Sequence, residues 1–327
     1  MQVSIIIPTY NRVKDLDECL DSIIIQTKLP KGILIVDDSD NDEVESLVGC
    51  RKNEFSEKDI FLRYIRNKKE KGLTIARNIG IENATGDIVL FLDSDVILDK
   101  NYIEEIVKVY KEKPDAVGVQ GFIKNAEEEN RLIPIPLMEG YNRLFYIGQL
   151  KKNDCGLLPS LGIIYPSSVD KIIDCEWLSG ANQSYKKEIL EEFKFDENLK
   201  KYSLGEDQDL SYRIFKKYPG TLFMTPHAKL IHKASAGGRH LKKDLIYMKE
   251  IYPLYLFYKI IDQNLKNKLI YLWSRMGRII FNILFSIFKS KSKLTEIKYR
   301  IGATFYCMRH IKEIKRGDLE FFNRSLR

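Results

Sequence analysis

The chain has 327 residues, of which 44% are hydrophobic and 30% charged, a composition typical of folded globular domains and not of disordered segments. Its five cysteines are odd in number and scattered without a CxxC pair, which argues against a disulfide framework or cysteine zinc site and suits a reducing cytosol. The net charge of +7 conceals a division, since residues 226–327 carry +15 and residues 1–225 carry −8, and such a basic tail indicates a polyanionic partner or surface.

The first hundred residues alternate strand and helix patterns. Apolar, β-branched runs at 3–8 (VSIIIP), 33–38 (ILIVDD), 60–65 and 88–92 predict strands, and the last of these ends in two aspartates. Helical spacing follows the first run, and further helices are predicted at 41–50 and 74–84. The opening segment lacks the basic start and long apolar core of a secretory signal. This alternation predicts a largely parallel sheet that binds ligands at the carboxyl ends of its strands.

Two carboxylates, Asp93 and Asp95, come directly after the fourth predicted strand. Residues two apart in an extended segment project the same way, so these side chains can converge on one point. Paired carboxylate oxygens suit Mn²⁺ or Mg²⁺, whose remaining positions are filled by water and phosphate. The alternative is a pair of solvated turn aspartates.

Residues from about 124 to 175 interrupt the regular pattern with prolines at 134, 136, 159 and 166. We interpret them as a long irregular excursion with a short helix at 141–149. It is either a surface insertion or a functional segment, since loops of this length often carry function.

The basic tail contains an apolar stretch at 269–289 that Arg275 and Arg278 interrupt. The uncharged run after Arg278 is too short to cross about 30 Å of hydrocarbon. Its polar residues recur mostly three, four or seven apart and predict one basic stripe on an apolar helix: Lys268, Arg275, Arg278, Asn282, Ser286 and Lys289. Such a helix suits an anionic membrane surface, and the alternative is packing on the acidic body of the chain or a dimer, with the cations outward. Nucleic acid is not expected as a partner, because no recognised motif accompanies the charge.

Four motifs occur in one order over about 200 residues: SIIIPTYNR, VDDSD, GLTIARNIGIENATGDIVLFLDSDV and GEDQDLSYRI. In this order they resemble the family 2 glycosyltransferases of the GT-A fold. That resemblance implies an α/β fold whose Rossmann-like nucleotide-binding half has a mixed, mostly parallel sheet. The resemblance covers the chain to about residue 235 and implies a catalytic domain at 1–235, with 124–175 as an acceptor-side insertion. Residues 236–327 then form a basic, apolar helical extension. No GxGxxG follows the first strand and no GxxxxGK[ST] occurs, so dinucleotide and P-loop enzymes are poorly supported.

The resemblance implies a catalytic role for Asp207 as the base that accepts the proton of the acceptor hydroxyl. Its neighbours in the ED-x-D element are Glu206 and Asp209. The alternative is that these acids stabilise the N-terminus of a helix at 209–217 through the macrodipole. For the metal, the resemblance implies that Asp95 holds the ion while Asp93 lies near the ribose. His232 in LIHK matches a further imidazole ligand, the alternative being a strand-end histidine with a satisfied hydrogen bond.

The remaining site residues are carried over from the same family motifs. The nucleotide and donor side comprises Pro8, Thr9, Tyr10, Arg12, Asp37, Asp38, Arg77, Asp93 and Ser94. Asp38 or Asp37 resembles the residue that bonds the base, and Arg77 is expected at the base or diphosphate. The acceptor side comprises Trp177, Gly180, Asn182 and Glu206. Trp177 could stack on a sugar ring or be a core residue.

The implied reaction is metal-dependent, inverting transfer of a hexosyl or N-acetylhexosaminyl unit from a nucleotide diphosphate sugar. UDP-sugars are the donors the family uses most often, and the expected acceptor is a hydroxyl on a lipid-linked or cell-surface glycan. No QxxRW follows GEDQDL, which predicts a non-processive enzyme. The expected location is cytoplasmic, peripheral at the inner face of the cell membrane. The alternatives are transfer to polyprenyl or dolichyl phosphate and a non-catalytic nucleotide-sugar-binding protein, and the oligomeric state is left open.

Overall fold

A computed structural model of the chain describes residues 1–125, 135–235, 242–287 and 292–326. The chain forms two compact units. The first holds the described residues up to 125 together with Ser168–Tyr202 and residues 206–235, and the second holds 135–167, 203–205 and the described residues from 242 onward.

The described residues form two β-sheets from twelve strands. Their bounds are β1 Val3–Thr9, β2 Gly32–Asp37, β3 Phe61–Arg66, β4 Ile88–Phe91, β5 Val96–Leu98, β6 Gly118–Ile123, β7 Gln149–Lys151, β8 Gly156–Leu157, β9 Ile163–Pro166, β10 Ile173–Asp174, β11 Gln183–Lys186 and β12 Leu222–His232. The first unit contains the larger sheet, in the order β3-β2-β1-β4-β11-β6-β12-β10, with β5 paired to β12.

The larger sheet is mixed, as predicted. Strands β3, β2, β1 and β4 are parallel, whereas β11 runs antiparallel to both β4 and β6. Every residue of β1, β2 and β4 is buried, because helices cover a parallel sheet on both faces. The carboxyl ends of β1, β2 and β4 therefore meet at one edge, where Thr9, Asp37 and the residues after Phe91 lie.

Helices connect these strands and build most of the second unit. Their bounds are α1 Val13–Ile24, α2 Glu43–Ser56, α3 Leu73–Asn83, α4 Tyr102–Glu112, α5 Ile135–Leu144, α6 Lys187–Glu192, α7 Glu206–Lys217, α8 Lys242–Ile260, α9 Leu265–Ile287, α10 Ser292–Arg309, α11 Ile311–Arg316 and α12 Glu320–Asn323. A short 3-10 helix, Arg324–Leu326, follows.

Helix α7 begins three residues before the predicted start at Asp209. Glu206, Asp207 and Asp209 thus all lie in its first turn, where the positive end of the helix dipole stabilises negative charge. The sequence did not reveal this start, because the three acids add no apolar residues at helical spacing.

The expectation of an irregular segment at 124–175 was partly wrong. Helix α5 ends at Leu144, short of the predicted Gln149, and Tyr146 after it takes a left-handed backbone angle φ of 52°. Strands β7, β9 and β8 then form a second sheet of three strands. These strands are two to four residues long, too short for an alternating pattern to show in the sequence. Pro134 and residues 126–133 before it lie outside the described residues.

The two arginines of the basic stripe predicted on α9 do not face outward in the second unit, whereas Lys268 is exposed. Arg275 is ion-paired with the buried Glu250, which also pairs with Arg300 at 3.4 Å. Arg278 donates a hydrogen bond to the Ile147 carbonyl at 3.2 Å. The prediction that these arginines point outward was therefore wrong, because their partners come from distant segments. The side chains of Asn282, Ser286 and Lys289 lie outside the described set. Among the described helices, none has both the length and the apolarity to cross a bilayer.

Candidate active site

The site is built where the parallel strands of the larger sheet end. Asp93 and Asp95 follow β4, and the Asp93 backbone N–H donates to the Ala181 carbonyl at 3.2 Å. Strand β12 runs antiparallel to β5 and pairs His232 with Val96. This pairing brings His232, which follows the two aspartates by more than 100 residues in the sequence, beside them.

Asp93, Asp95 and His232 each offer a ligand atom, and these atoms lie within 4.8 Å of one another. His232 Nε2 lies 3.3 Å from Asp95 Oδ1 and 3.8 Å from Asp93 Oδ2. Burial alone would lower the pKa of His232, but contact with Asp95 and the charge of Asp93 outweigh it and raise that pKa. The cluster is thus electronegative enough to attract a proton or another cation.

Asp95 is the most enclosed member of the cluster, with its side chain 1% exposed. Its Oδ2 accepts a hydrogen bond from the Ser235 N–H at 2.8 Å and lies 3.0 Å from Arg12 Nη1. Arg12 also donates to the Ser235 carbonyl at 2.8 Å. Burial would raise the pKa of Asp95, but His232, Arg12 and the Ser235 N–H together lower it, so the carboxylate stays charged.

The other oxygen of Asp95 shows that the cluster fits a metal ion. Asp95 Oδ1 is buried and accepts no hydrogen bond from the described residues. An unbonded buried carboxylate oxygen is costly unless a cation neutralises it. Two carboxylates and one imidazole are a donor set that Mn²⁺ accepts, and Mg²⁺ accepts the oxygen donors.

Arg77, on α3, links this cluster to the start of α7. Its side chain is 1% exposed, and its Nη1 donates to Glu206 Oε1 at 2.8 Å. Its Nη2 lies 3.2 Å from Asp93 Oδ1 and donates to the Gly180 carbonyl at 2.8 Å. One guanidinium therefore bridges a carboxylate of the LDSDV motif and a carboxylate of the GEDQDL motif. Arg77 lies beneath the site surface and is not open to solvent for direct contact with a base or diphosphate.

Glu206 and Asp207 differ in their surroundings although they are adjacent. Burial, reinforced by the negative charge of Asp207, raises the pKa of Glu206 to about 7 despite the opposing charge of Arg77. Asp207 is half-buried, and its Oδ2 accepts a hydrogen bond from the Gly180 N–H at 2.9 Å. Its Oδ1 accepts from the Gln208 N–H at 2.8 Å. The two backbone donors orient the Asp207 carboxylate, as a base that must meet one proton requires.

The two acids at the end of β2, Asp37 in its last position and Asp38 directly after it, are both buried and hydrogen-bonded. Asp37 accepts hydrogen bonds from the Ser39 N–H at 2.9 Å and from the Tyr64 hydroxyl at 3.0 Å. Asp38 accepts from Asn67 Nδ2 at 2.7 Å and from the Gly72 N–H at 2.8 Å, and burial raises its pKa. Asp38 thus ties the β2 end to the loop before α3.

Several other predicted site residues have little surface exposed for contact with a ligand. Trp177 is 3% exposed, which favours the alternative that it is a core tryptophan. Asn182 is fully buried and donates to the Gly121 carbonyl at 2.9 Å. Pro8, Thr9 and Ser94 are also buried at the strand ends. Gly180 is tightly packed, since a Cβ there would lie 3.2 Å from Arg77 Nη2.

Tyr10 differs from these neighbours because it is half-buried, with Lys71 5.6 Å from its ring centroid. Among the predicted residues Pro8, Thr9 and Tyr10, the Tyr10 side chain is the most open to a ligand.

Two residues of the site escaped the sequence interpretation. Ser235 acts on Asp95 through its backbone, and Asn125 holds the His232 backbone with its amide, donating at 2.7 Å and accepting at 3.0 Å. Neither belongs to a motif, and their partners are 140 and 107 residues away in sequence. Only the paired strands bring them together.

Comparison with known proteins agrees with this geometry. The model of glycosyl transferase family 2 matches residues 4–162. A glucosyl-dolichyl phosphate glucuronosyltransferase of Haloferax volcanii is 30% identical over 125 residues, 38% of this chain and 38% of that protein. The matched segments cover 15 to 46% of the length of the curated relatives, so the chain spans less than half of each.

Solved structures resemble nearly the whole chain in fold. The mannosyltransferase PcManGT of Pyrobaculum calidifontis, in complex with GDP-Man and Mn²⁺, has a TM-score of 0.55 at 17% identity and covers 93% of this chain and 86% of its own. S. aureus TarS in complex with UDP-GlcNAc has a TM-score of 0.56 at 16% identity and covers 93% of this chain and 79% of its own.

The mixed α/β sheet and the likeness to these solved structures show that the chain has the GT-A fold. Residues 4–162, just under half of the chain, match glycosyl transferase family 2, and we assign this segment to that family.

Proposed function

We propose that this chain is a metal-dependent, inverting glycosyltransferase that moves one sugar per encounter from a UDP-sugar to an acceptor hydroxyl. The observation that carries the proposal is the cluster of Asp93, Asp95 and His232, joined through Arg77 to Glu206 and hence to Asp207. An inverting transfer needs metal ligands and a base. Here the buried guanidinium of Arg77 connects the carboxylates of both groups.

Asp95 and His232 would hold Mn²⁺ or Mg²⁺, with Asp93 alongside. When bound, the ion neutralises negative charge on the departing nucleoside diphosphate. Arg12 and the Ser235 N–H keep the Asp95 carboxylate ionised and oriented, and Asn125 fixes the strand end that carries His232. The chain thus holds the ligand set in place before the ion arrives.

Asp207 is the proposed base. It would accept the proton of the acceptor hydroxyl while Gly180 and Gln208 hold its two oxygens. Glu206 sets the position of Arg77, and we infer that both are positioning residues and that Arg77 does not contact the donor. On the donor side, Tyr10, Asp37 and Asp38 remain the proposed neighbours of the nucleoside.

The donor and acceptor classes follow by analogy. UDP-GlcNAc and GDP-Man occur in complexes of proteins of this fold, which supports a nucleotide diphosphate sugar carrying a hexosyl or N-acetylhexosaminyl unit. The name of the Haloferax relative contains a dolichyl-phosphate-linked sugar, which supports a lipid-linked glycan as acceptor. We place the enzyme peripherally at the inner face of the cell membrane, where such acceptors and cytoplasmic nucleotide sugars meet.

A panel of nucleotide sugars, each added with and without Mn²⁺ while the melting temperature is followed, tests donor and metal together. We expect a UDP-sugar to raise the melting temperature only with the ion, and Asp95→Asn to lose that dependence. A donor that binds equally well after chelation would contradict the metal assignment.

Asp207→Asn tests the base. We expect kcat for sugar transfer to fall by roughly 10²–10⁴-fold while the donor-induced melting shift persists. Asp174→Asn, at an exposed position of the same unit, is the control. Near-normal turnover by Asp207→Asn would instead favour an acceptor that is already anionic, such as polyprenyl or dolichyl phosphate. Donor binding without turnover in the unaltered chain would indicate a nucleotide-sugar-binding protein.

A further inference from the structure

Helix α9 of the second unit has its apolar and polar sides reversed relative to a helix adapted to water. The side that packs against the unit carries Tyr271, Ser274, Gly277 and the two arginines. Arg275 pairs with Glu250, and Ser274 donates to the Tyr146 carbonyl at 3.3 Å. Burial lowers the pKa of Arg278, as expected for a cation held inside the unit.

The opposite side of α9 is an apolar stripe. Its members recur four, three, four and three residues apart, which keeps them on one face: Leu265, Leu269, Leu272, Met276 and Ile279. They are between 42% and 73% exposed. Isolated exposed apolar residues are ordinary, but five of them in one continuous stripe form a patch whose exposure to water is unfavourable.

Helix α10 repeats this arrangement. Ile301, Phe305 and Met308 are exposed at helical spacing, whereas Ala303 and Cys307 are buried. The second unit therefore presents apolar side chains on two of its helices while it encloses three arginines around Glu250 and the Ile147 carbonyl.

We propose that the apolar stripe of α9 is the surface by which this chain docks on an anionic phospholipid membrane. Lys266 and Lys268 are exposed beside the stripe, at helical spacing from Leu269 and Leu272. Helix α9 contains no acidic residue, and residues 242–327 carry 19 Lys and Arg against 7 Asp and Glu. Apolar side chains flanked by cations match acyl chains beneath anionic headgroups.

The same charges disfavour a second copy of this chain as the occupant. Two apposed α9 helices would bring lysines against lysines with no carboxylate from either helix to compensate. An anionic lipid surface supplies the counter-charge that a second copy lacks. The proposal extends the proposed peripheral location and does not depend on the transferase chemistry.

Trp273 provides an internal reporter for docking. It lies at the edge of the stripe, 41% exposed, stacked on Phe145 and donating through Nε1 to the Leu144 carbonyl at 2.9 Å. The chain has two tryptophans, and the other, Trp177, is buried in the first unit. A fluorescence change on adding vesicles that disappears in Trp273→Phe therefore reports on α9.

The test is flotation of the full chain with vesicles of phosphatidylglycerol and phosphatidylcholine in equal parts, against vesicles of phosphatidylcholine alone. We expect binding to the anionic vesicles with a blue shift of the Trp273 emission. Leu269→Gln, Leu272→Gln and Met276→Gln combined should lower the bound fraction roughly tenfold or more, because the polar side chains cannot enter the acyl region. The double variant Lys266→Gln with Lys268→Gln should weaken binding to the anionic vesicles and leave any binding to phosphatidylcholine vesicles unchanged.

The matched control replaces exposed apolar residues of the first unit, Ile25→Gln and Phe61→Gln, and should float as the unaltered chain does. Leu272→Ile with Met276→Leu keeps the stripe apolar and should also float. Flotation of the triple variant like the unaltered chain would overturn the proposal. So would self-association that the triple variant abolishes while no vesicle is bound. The donor-induced melting shift, measured on the same variants, separates failure of this surface from failure of the proposed reaction.

Discussion

Arg77 has almost no exposed surface, yet it contacts carboxylates from two motifs that lie more than 100 residues apart in the chain. A buried cation with two anionic partners is stable only while both remain, since each partner offsets the lost hydration of the others. Asp93 and Glu206 are therefore held at a distance set by one guanidinium. At the residue scale, this link determines how precisely the proposed metal ligands and base can be arranged.

Arg77→Met should lower the free energy of unfolding by about 3–5 kcal/mol, because it leaves Glu206 buried without its cation. Urea denaturation measures this loss. Combining Arg77→Met with Glu206→Gln should recover part of it, since the buried charge is then removed as well. Arg324→Met, which breaks an exposed pair with Glu320, is the control and should cost no more than about 1 kcal/mol. Additive losses in the double variant would contradict the pairing.

Glu206 should make stability depend on pH. Its pKa in the folded chain is about 7, above the ordinary value of 4.5, so the folded state binds the proton more tightly than the unfolded state does. The stabilising contribution is complete below pH 4.5 and is lost as pH rises through about 7. Relative to Glu206→Gln, the unaltered chain should lose roughly 1–3 kcal/mol of unfolding free energy over this interval.

Urea denaturation at several pH values from about 5 to about 8 measures this difference. Glu112→Gln, at an exposed position of α4, is the matched control. If Glu206→Gln and the unaltered chain keep a constant difference in stability across this range, the raised pKa of Glu206 is wrong.

At the scale of elements, α9 shows how packing partners orient a helix that carries arginines on one face and exposed apolar side chains on the other. Gly277 allows α9 to approach α5, since Phe145 follows α5 and its ring occupies the place of a side chain at 277. The Tyr141 hydroxyl donates to the Gly277 carbonyl at 2.6 Å, which fixes the same contact. Close approach at a small residue thus turns the arginines inward and leaves the leucines outside.

Gly277→Ala should destabilise the chain by roughly 1–3 kcal/mol, because the new Cβ would lie 2.3 Å from the Phe145 ring. Thermal unfolding followed by circular dichroism measures the effect. Gly140→Ala in α5, where nothing lies within 4 Å, is the control and should stabilise by about 0.5–1 kcal/mol through helix propensity. In a Phe145→Leu background the Gly277→Ala penalty should shrink. A penalty that stays unchanged there would mean the clash is not its cause.

At the scale of the whole molecule, charge is divided between an acidic body and a basic tail. Attraction between the tail and an anionic surface is screened over about 10 Å at 0.1 M salt and about 3 Å at 1 M salt. Flotation with anionic vesicles should therefore weaken as NaCl is raised from about 0.1 M to about 1 M. The part of the binding that depends on the apolar stripe should persist. Binding that is insensitive to salt would show that the lysines play no part, and the Lys266→Gln with Lys268→Gln variant is the matched comparison.

The sequence predicted the class of fold because local patterns and motif order carry that information. The buried β-branched runs give β1, β2 and β4, and the spacing of Leu16, Cys19, Leu20 and Ile23 gives the buried face of α1. The same patterns could not reveal β7, β8 and β9, since strands of two to four residues show no period.

For the candidate site, the sequence motifs predicted the side chains that take part in the chemistry. These are Asp93, Asp95, Glu206, Asp207 and His232. Their roles stay predictions, but their proximity is a result of the structure. The sequence could not identify Ser235, whose contribution is a backbone N–H, or the bridging function of Arg77.

By itself, the sequence determined the family, the mixed α/β fold and the residues able to bind a cation. Only the tertiary structure decided which of them face the site, which lie beneath it, and which face of α9 meets solvent. The physical reason is that local periodicity depends on neighbours three or four residues away, whereas burial of a charge depends on partners far along the chain. Arg77 is buried and Arg275 is half-buried because Glu206 and Glu250 are there to pair with them.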